Sequence, residues 1–202
     1  MYNTAVTNQE FEIICVCETW LDANISNTDV ALEDYQLFRK DRNRHGGGVA
    51  IYVKNSIPVK EIDLLFDGLE SVGIEIIVSN KKIAIICCYR PPGLRNQADD
   101  FIENFQYLLD TLYANKYDSL FIGGDFNDRC INWDDNHMNS ELGTRFKECI
   151  RNNILFQLIK DPTYLSPNYQ STLDLIITDS PGYVIKSGIG CPLGDPCHCC
   201  FL

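Results

Sequence analysis

Ser119-Leu120-Phe121-Ile122-Gly123-Gly124-Asp125-Phe126-Asn127 is an apolar run that ends in two glycines, then a carboxylate and, two residues on, a carboxamide. A short run bounded in this way reads as a buried strand. The glycines let the backbone turn sharply at the strand's end, where α/β sheets place their ligands. Residues two apart on an extended chain project the same way, so Asp125 and Asn127 can address one site. An acceptor-only carboxylate beside an amide that both donates and accepts suits a hard cation or a phosphoester oxygen. Taken alone, the same letters also read as a strand followed by an Asp/Asn turn. The rest of the chain decides between the two.

Working outward, residues 11–17 (Phe-Glu-Ile-Ile-Cys-Val-Cys) read as a buried strand that delivers Glu18 at its end. Gly46-Gly47-Gly48 introduces a strand over 49–53. Residues 72–78 and 82–89 each alternate with a period of two, which predicts a hairpin across Ser79-Asn80-Lys81. The double proline in Tyr89-Arg90-Pro91-Pro92 stops the second of these strands. An apolar stripe through Phe101, Ile102, Phe105, Leu108, Leu109 and Leu112 predicts a helix over 99–115. A second helix is expected over 140–152, further strands over 155–159 and 173–178, and a weaker one over 184–189. Many strands with few helices predict two packed sheets flanked by helices. One domain is expected over 11–202, after a loose polar lead-in at 1–10.

Bulk properties narrow the class. A chain of 202 residues carries one substantial core. It contains no run of about 18 apolar residues and no basic-then-apolar N-terminus, so the expectation is an intracellular protein of nucleus or cytoplasm, not secreted and without a membrane partner. Of ten cysteines, Cys15, Cys17, Cys87 and Cys88 lie in strand-like runs and behave as small hydrophobes. Cys191, Cys197, Cys199 and Cys200, with His198, lack the paired C-x₂-C spacing of a structural zinc site. A net charge of −11 argues against wrapping nucleic acid by bulk electrostatics. A cation-bridged acidic site weakens that objection. The basic run from Arg39 to His45 reads as a solvated loop.

Set side by side, the strand ends supply Glu18, Tyr89-Arg90, Asp125-Asn127 and Asp174 within Ser171-Thr172-Leu173-Asp174, with His198 near the terminus. Three carboxylates, an amide, a phenol, an arginine and a histidine are the parts of a metal-assisted phosphodiester site. Their order and wording resemble the endonuclease/exonuclease/phosphatase superfamily, and within it the apurinic-type endonuclease domain of non-LTR (LINE or jockey-like) retrotransposons. The pieces that carry the resemblance are Glu18-Thr19-Trp20-Leu21, Phe38-Arg39-Lys40-Asp41-Arg42 with Gly46-Gly47-Gly48, and Tyr89-Arg90-Pro91-Pro92. Gly123-Gly124-Asp125-Phe126-Asn127, Thr172-Leu173-Asp174 and Pro192-Leu193-Gly194 before His198 complete the set.

The resemblance implies a four-layer α/β sandwich of two packed mixed sheets flanked by helices. It implies a Mg²⁺-dependent DNA-nicking endonuclease, with Mn²⁺ as an alternative metal and DNA as the partner. Glu18 would hold the metal, Asp125 would orient or deprotonate the attacking water, and Asn127 would contact the phosphate or the nucleophile. Tyr89 and Arg90 would meet phosphate oxygens, and Asp174 would hold His198 against the charge of the intermediate. Two departures accompany it. The family's first strand, with its active-site asparagine, and the helix after it have no room in ten residues, so a fold lacking both is expected. The family's Ser-Asp-His ending has Cys197 before His198 here. A catalytically inactive or domesticated remnant of the same fold, and a phosphatase of the same superfamily, are the alternative readings.

Overall fold

The β5–β6 hairpin, Glu70–Val78 and Lys81–Tyr89, shows how directly local sequence specifies the sheet. Val78 pairs with Lys81 across a two-residue turn, and Ser79 and Asn80 both take positive φ, 50° and 64°. That is the primed turn whose twist matches the flanking strands. Alternation on β6 divides its side chains cleanly. Ala84, Ile86 and Cys88 enter one core, and Cys87 and Tyr89 the other, with Ile83 and Ile85 packed against it.

The computed structural model describes residues 11–64, 69–92, 98–129, 131, 133 and 140–190. The expected lead-in at 1–10 and the C-terminal group with Cys197 and His198 lie outside them. In chain order the remaining elements are β1 (Ile13–Cys17), β2 (Tyr35–Lys40), β3 (Val49–Lys54) and β4 (Val59–Ile62) before the hairpin. After it come α1 (Ala98–Ala114), β7 (Ser119–Asp125), α2 (Glu141–Asn152), β8 (Phe156–Gln157), β9 (Tyr164–Ser166), β10 (Tyr169–Ser171) and β11 (Asp174–Thr178).

A six-stranded mixed sheet of order β4-β5-β6-β7-β11-β8 carries the fold, and a three-stranded antiparallel sheet of order β1-β3-β2 packs on it. Only β6 and β7 run parallel, joined through α1 as a parallel pair requires. The core between the sheets holds Val49, Ile51, Val53, Val72, Ile74 and Ile76. On the opposite face α1 and α2 cover Leu120, Ile122, Leu175 and Ile177. Phe101, Phe105, Phe126 and Phe146 meet there, with ring centroids 5.1 Å apart for Phe105 and Phe146. Among the described residues both α-helices lie on this face. Ser140 caps α2 by accepting from the Gly143 N–H at 2.9 Å.

The two packed sheets and both helices agree with the sequence reading. The strand expected at 184–189 does not form. Pro181–Tyr183 is a single 3₁₀ turn, and both edges of β11 are already taken by β7 and β8, so no ladder position remains beside it. Strands β2, β4, β9 and β10 were not expected; β4 and the β9–β10 pair are too short for periodicity to show. Cys87 and Cys88 are buried as small hydrophobes, whereas Cys15, on an edge strand, is exposed.

Gly124 marks a close backbone approach between β7 and β6. Its φ is +150°, and a Cβ built on it would overlap the Cys88 carbonyl of β6. Gly124→Ala is therefore expected to lower stability by more than about 4 kcal/mol, in the range of the largest single-residue effects. Urea denaturation monitored by circular dichroism measures it, and a loss under about 1 kcal/mol would contradict the close approach.

Candidate active site

One register row crosses four strands of the large sheet. Glu70 on β5 pairs with Tyr89 on β6, Tyr89 with Asp125 on β7, and Asp125 with Asp174 on β11. Val72 and Cys87, each two positions along its strand from a member of the row, pack between the sheets, so the row faces the small sheet. Glu18 arrives from that side, directly after β1. The Tyr89 hydroxyl donates to Glu18 Oε1 and ties the two sheets at the site.

Asp125 is buried and caps its own turn. Its Oδ1 accepts the Asn127 backbone N–H at 2.9 Å and its Oδ2 accepts Asn127 Nδ2 at 3.0 Å. Burial pushes its carboxyl up to about 8, with the charges of Asp174 and Glu18 adding to the rise and the Asn127 hydrogen bonds opposing it. Burial also pushes Glu18 up, but it is outweighed by hydrogen bonds from Tyr89, Gly47 N–H and Trp20 and by the charge of Arg42, so that carboxyl falls below its ordinary range. Burial and the Glu18 carboxylate drive the Tyr89 hydroxyl well above its usual value, so it stays a donor. Asp174 sits opposite Asp125, its backbone N–H donating to the buried Thr163 Oγ1 at 2.9 Å.

The glycine run wires the two sheets together. Gly47 N–H donates to Glu18 Oε2 at 3.0 Å and Gly48 N–H to Glu70 Oε2 at 2.8 Å. Arg42 donates through Nη1 to Glu70 Oε1 at 2.7 Å and through Nε to the Gly46 carbonyl at 2.8 Å. Its guanidinium carbon lies 5.8 Å from the Tyr89 ring centroid. At Gly47, φ +72°, a Cβ would run into Arg42 and Glu70. Glu70 and this use of Arg42 escaped the sequence reading, because Glu70 carries no motif. Its only signal is the strand register that sets it beside Tyr89.

Arg90 was expected on a substrate phosphate. The structure places it 5% exposed beneath the Asp125–Asn127 turn, its Nη1 donating to the carbonyls of Phe126 at 3.2 Å and Asn127 at 3.3 Å. Its backbone N–H donates to the Asp125 carbonyl at 2.9 Å, and its carbonyl accepts Asn127 Nδ2 at 3.1 Å. The guanidinium stacks 5.3 Å from the Phe101 ring centroid. Glu18, Tyr89, Asp125, Asn127 and Asp174 thus converge, Arg90 braces them from below, and His198 is outside the described residues.

Among the described residues no three His, Cys, Asp or Glu side chains form a metal cage. A cage is not what Mg²⁺ requires, since one or two carboxylates with waters and substrate phosphates commonly hold it. The donors are hard oxygens, and the part of the Asp125 rise that comes from the charges of Asp174 and Glu18, added to that of burial, is what a cation relieves. The residues present fit a divalent cation held through Glu18.

Two packed sheets with a carboxylate-rich row at the interface define an α/β sandwich of the endonuclease/exonuclease/phosphatase superfamily. Residues 83–187, just over half of the chain, match the Endonuclease-reverse transcriptase family, and the protein belongs to it. No curated protein sequence matches the chain. The fold is similar to the endonuclease domain of TRAS1, a telomere-specific non-LTR retrotransposon, at TM-score 0.75 and 16% identity, covering 98% of this chain and 87% of that one. It is similar to the 3′ phosphatase NExo from Neisseria bound to product DNA hairpin, at TM-score 0.65 and 15% identity, covering 96% and 88%. An AP endonuclease from Archaeoglobus fulgidus aligns at TM-score 0.62 and 15% identity, covering 96% and 89%. None of the described helices is long and apolar enough to cross a membrane.

Proposed function

We propose that this protein is a divalent-cation-dependent phosphodiester hydrolase, the DNA-nicking endonuclease domain of a retroelement. The observation that carries the reading is the row Tyr89–Asp125–Asp174 facing Glu18. Phosphodiester hydrolysis needs charge neutralisation, an in-line water and help for the leaving oxygen. Glu18 would hold a Mg²⁺ or Mn²⁺ ion, which when bound would supply charge neutralisation and help for the leaving oxygen. Asp125 accepts the proton of the attacking water. Its raised value makes it a stronger base than an ordinary aspartate. Asn127, hydrogen-bonded to both Asp125 and the Arg90 carbonyl, holds the base in one orientation. Tyr89, still protonated, donates to a phosphate oxygen in place of Glu18. Asp174 would hold His198 against developing charge.

Nicking of supercoiled plasmid is expected in Mg²⁺ and not in excess EDTA, without release of phosphate from a soluble phosphomonoester. Nicking unaffected by EDTA, or phosphomonoester turnover without nicking, would overturn the reading. A second reading, the same fold with impaired chemistry, is favoured by Cys197 standing where the family carries a carboxylate. A thiol is a poor partner for a hard cation or an imidazolium. Under that reading Cys197→Asp increases the nicking rate; strong nicking by the unmodified protein, equal to that of Cys197→Asp, excludes it.

A further inference from the structure

We propose that Trp20 is the positioning residue of the Glu18 carboxylate, its indole N–H selecting which oxygen is left open to the cation. The inference rests on Glu18 as the cation ligand. Glu18 Oε2 accepts two donors, the Gly47 N–H at 3.0 Å and Trp20 Nε1–H at 2.5 Å. A carboxylate oxygen has two lone-pair sites, so Oε2 is filled. Among the described residues Oε1 accepts only the Tyr89 hydroxyl and keeps its second site. The carboxylate is therefore fixed in rotation with Oε1 presented.

The backbone is shaped to make this contact. Glu18 and Trp20 both occupy the left-handed region, at φ 58° and 56°, unusual for residues with a Cβ. Such conformations persist where the surroundings over-determine them, and they cluster at functional sites. Here Thr19 N–H donates to the Gly48 carbonyl at 3.2 Å and Trp20 N–H to the Gly47 carbonyl at 3.0 Å. The turn brings the two side chains, two residues apart, to one point. Core packing does not account for it, since Trp20 is 55% exposed and belongs to neither apolar cluster. What the indole contributes at this position is its N–H.

Hydrogen-bond partners that orient a metal ligand typically influence affinity by a factor of about 10–100 when removed. Trp20→Phe is accordingly expected to weaken Mn²⁺ binding roughly 10–100-fold, read from free Mn²⁺ by electron paramagnetic resonance, with unchanged far-UV circular dichroism. In Trp133→Phe, where Trp20 is the sole indole, Mn²⁺ should change the emission saturably, and Glu18→Gln in that background should abolish the change. Wild-type Mn²⁺ affinity in folded Trp20→Phe would overturn the proposal and leave the cation reading intact. So would Trp20 emission unmoved at saturating Mn²⁺, which decides the matter even where Trp20→Phe fails to fold. No Mn²⁺ binding by the unmodified protein would overturn both.

Discussion

Replacing Asp125 with asparagine should sharply reduce nicking and, in the absence of cation, raise the melting temperature above neutral pH. Loss of a general base costs about 10²–10⁴ in rate. The stability effect follows from the same carboxyl. Its folded value, about 8, lies above the ordinary 3.8, so the folded state holds this proton where the unfolded chain has released it. The contribution of Asp125 to stability is therefore fully present below about pH 4 and is lost as pH rises through about 8. Asparagine keeps the shape and never charges. Each unit of pKa is worth about 1.4 kcal/mol, and each kcal/mol moves the melting temperature of a domain this size by roughly 2–4 °C. The cation-free protein should thus melt several degrees lower at pH 8 than at pH 5, and Asp125→Asn should flatten that slope. Parallel melting curves for the two proteins across this range would refute the buried, crowded carboxylate.

Arg90→Met should cut kcat by a factor on the order of 10², the cost of a displacement near 1 Å at the reacting groups, with KM little changed. The guanidinium is spent on the carbonyls of Phe126 and Asn127 and on the Phe101 ring. Removing it orphans two acceptors, each costing about 1–3 kcal/mol, and frees the turn that aims Asp125 and Asn127. A phosphate contact behaves differently: its loss weakens DNA binding and lowers the slope of log K against log salt by about 1. A changed salt slope with unchanged thermal stability would return Arg90 to the substrate.

The strand that delivers Asp125, the hairpin over 79–80 and the apolar stripe of α1 are local patterns, and the sequence alone determined them, although Gly123 and Gly124 lie within β7 and the turn follows at Asp125–Asn127. Periodicity and turn chemistry act over a few residues, which is why those elements stand where expected. Motif order likewise led to Glu18, Tyr89, Asp125, Asn127 and Asp174, and the sheets bring these to one place. Tertiary structure alone decided the rest. That Arg90 turns inward depends on Phe101 of α1, and that Glu70 joins the row depends on the β5–β6 register. The cradle of Gly47 N–H and Trp20 around Glu18 depends on β1 pairing with β3, whose sequences lie some thirty residues apart. Short-range propensities specify which elements form; the orientation of a side chain at a junction is set by whichever distant strand or helix offers it a partner, and one stretch of sequence carries no record of that neighbour.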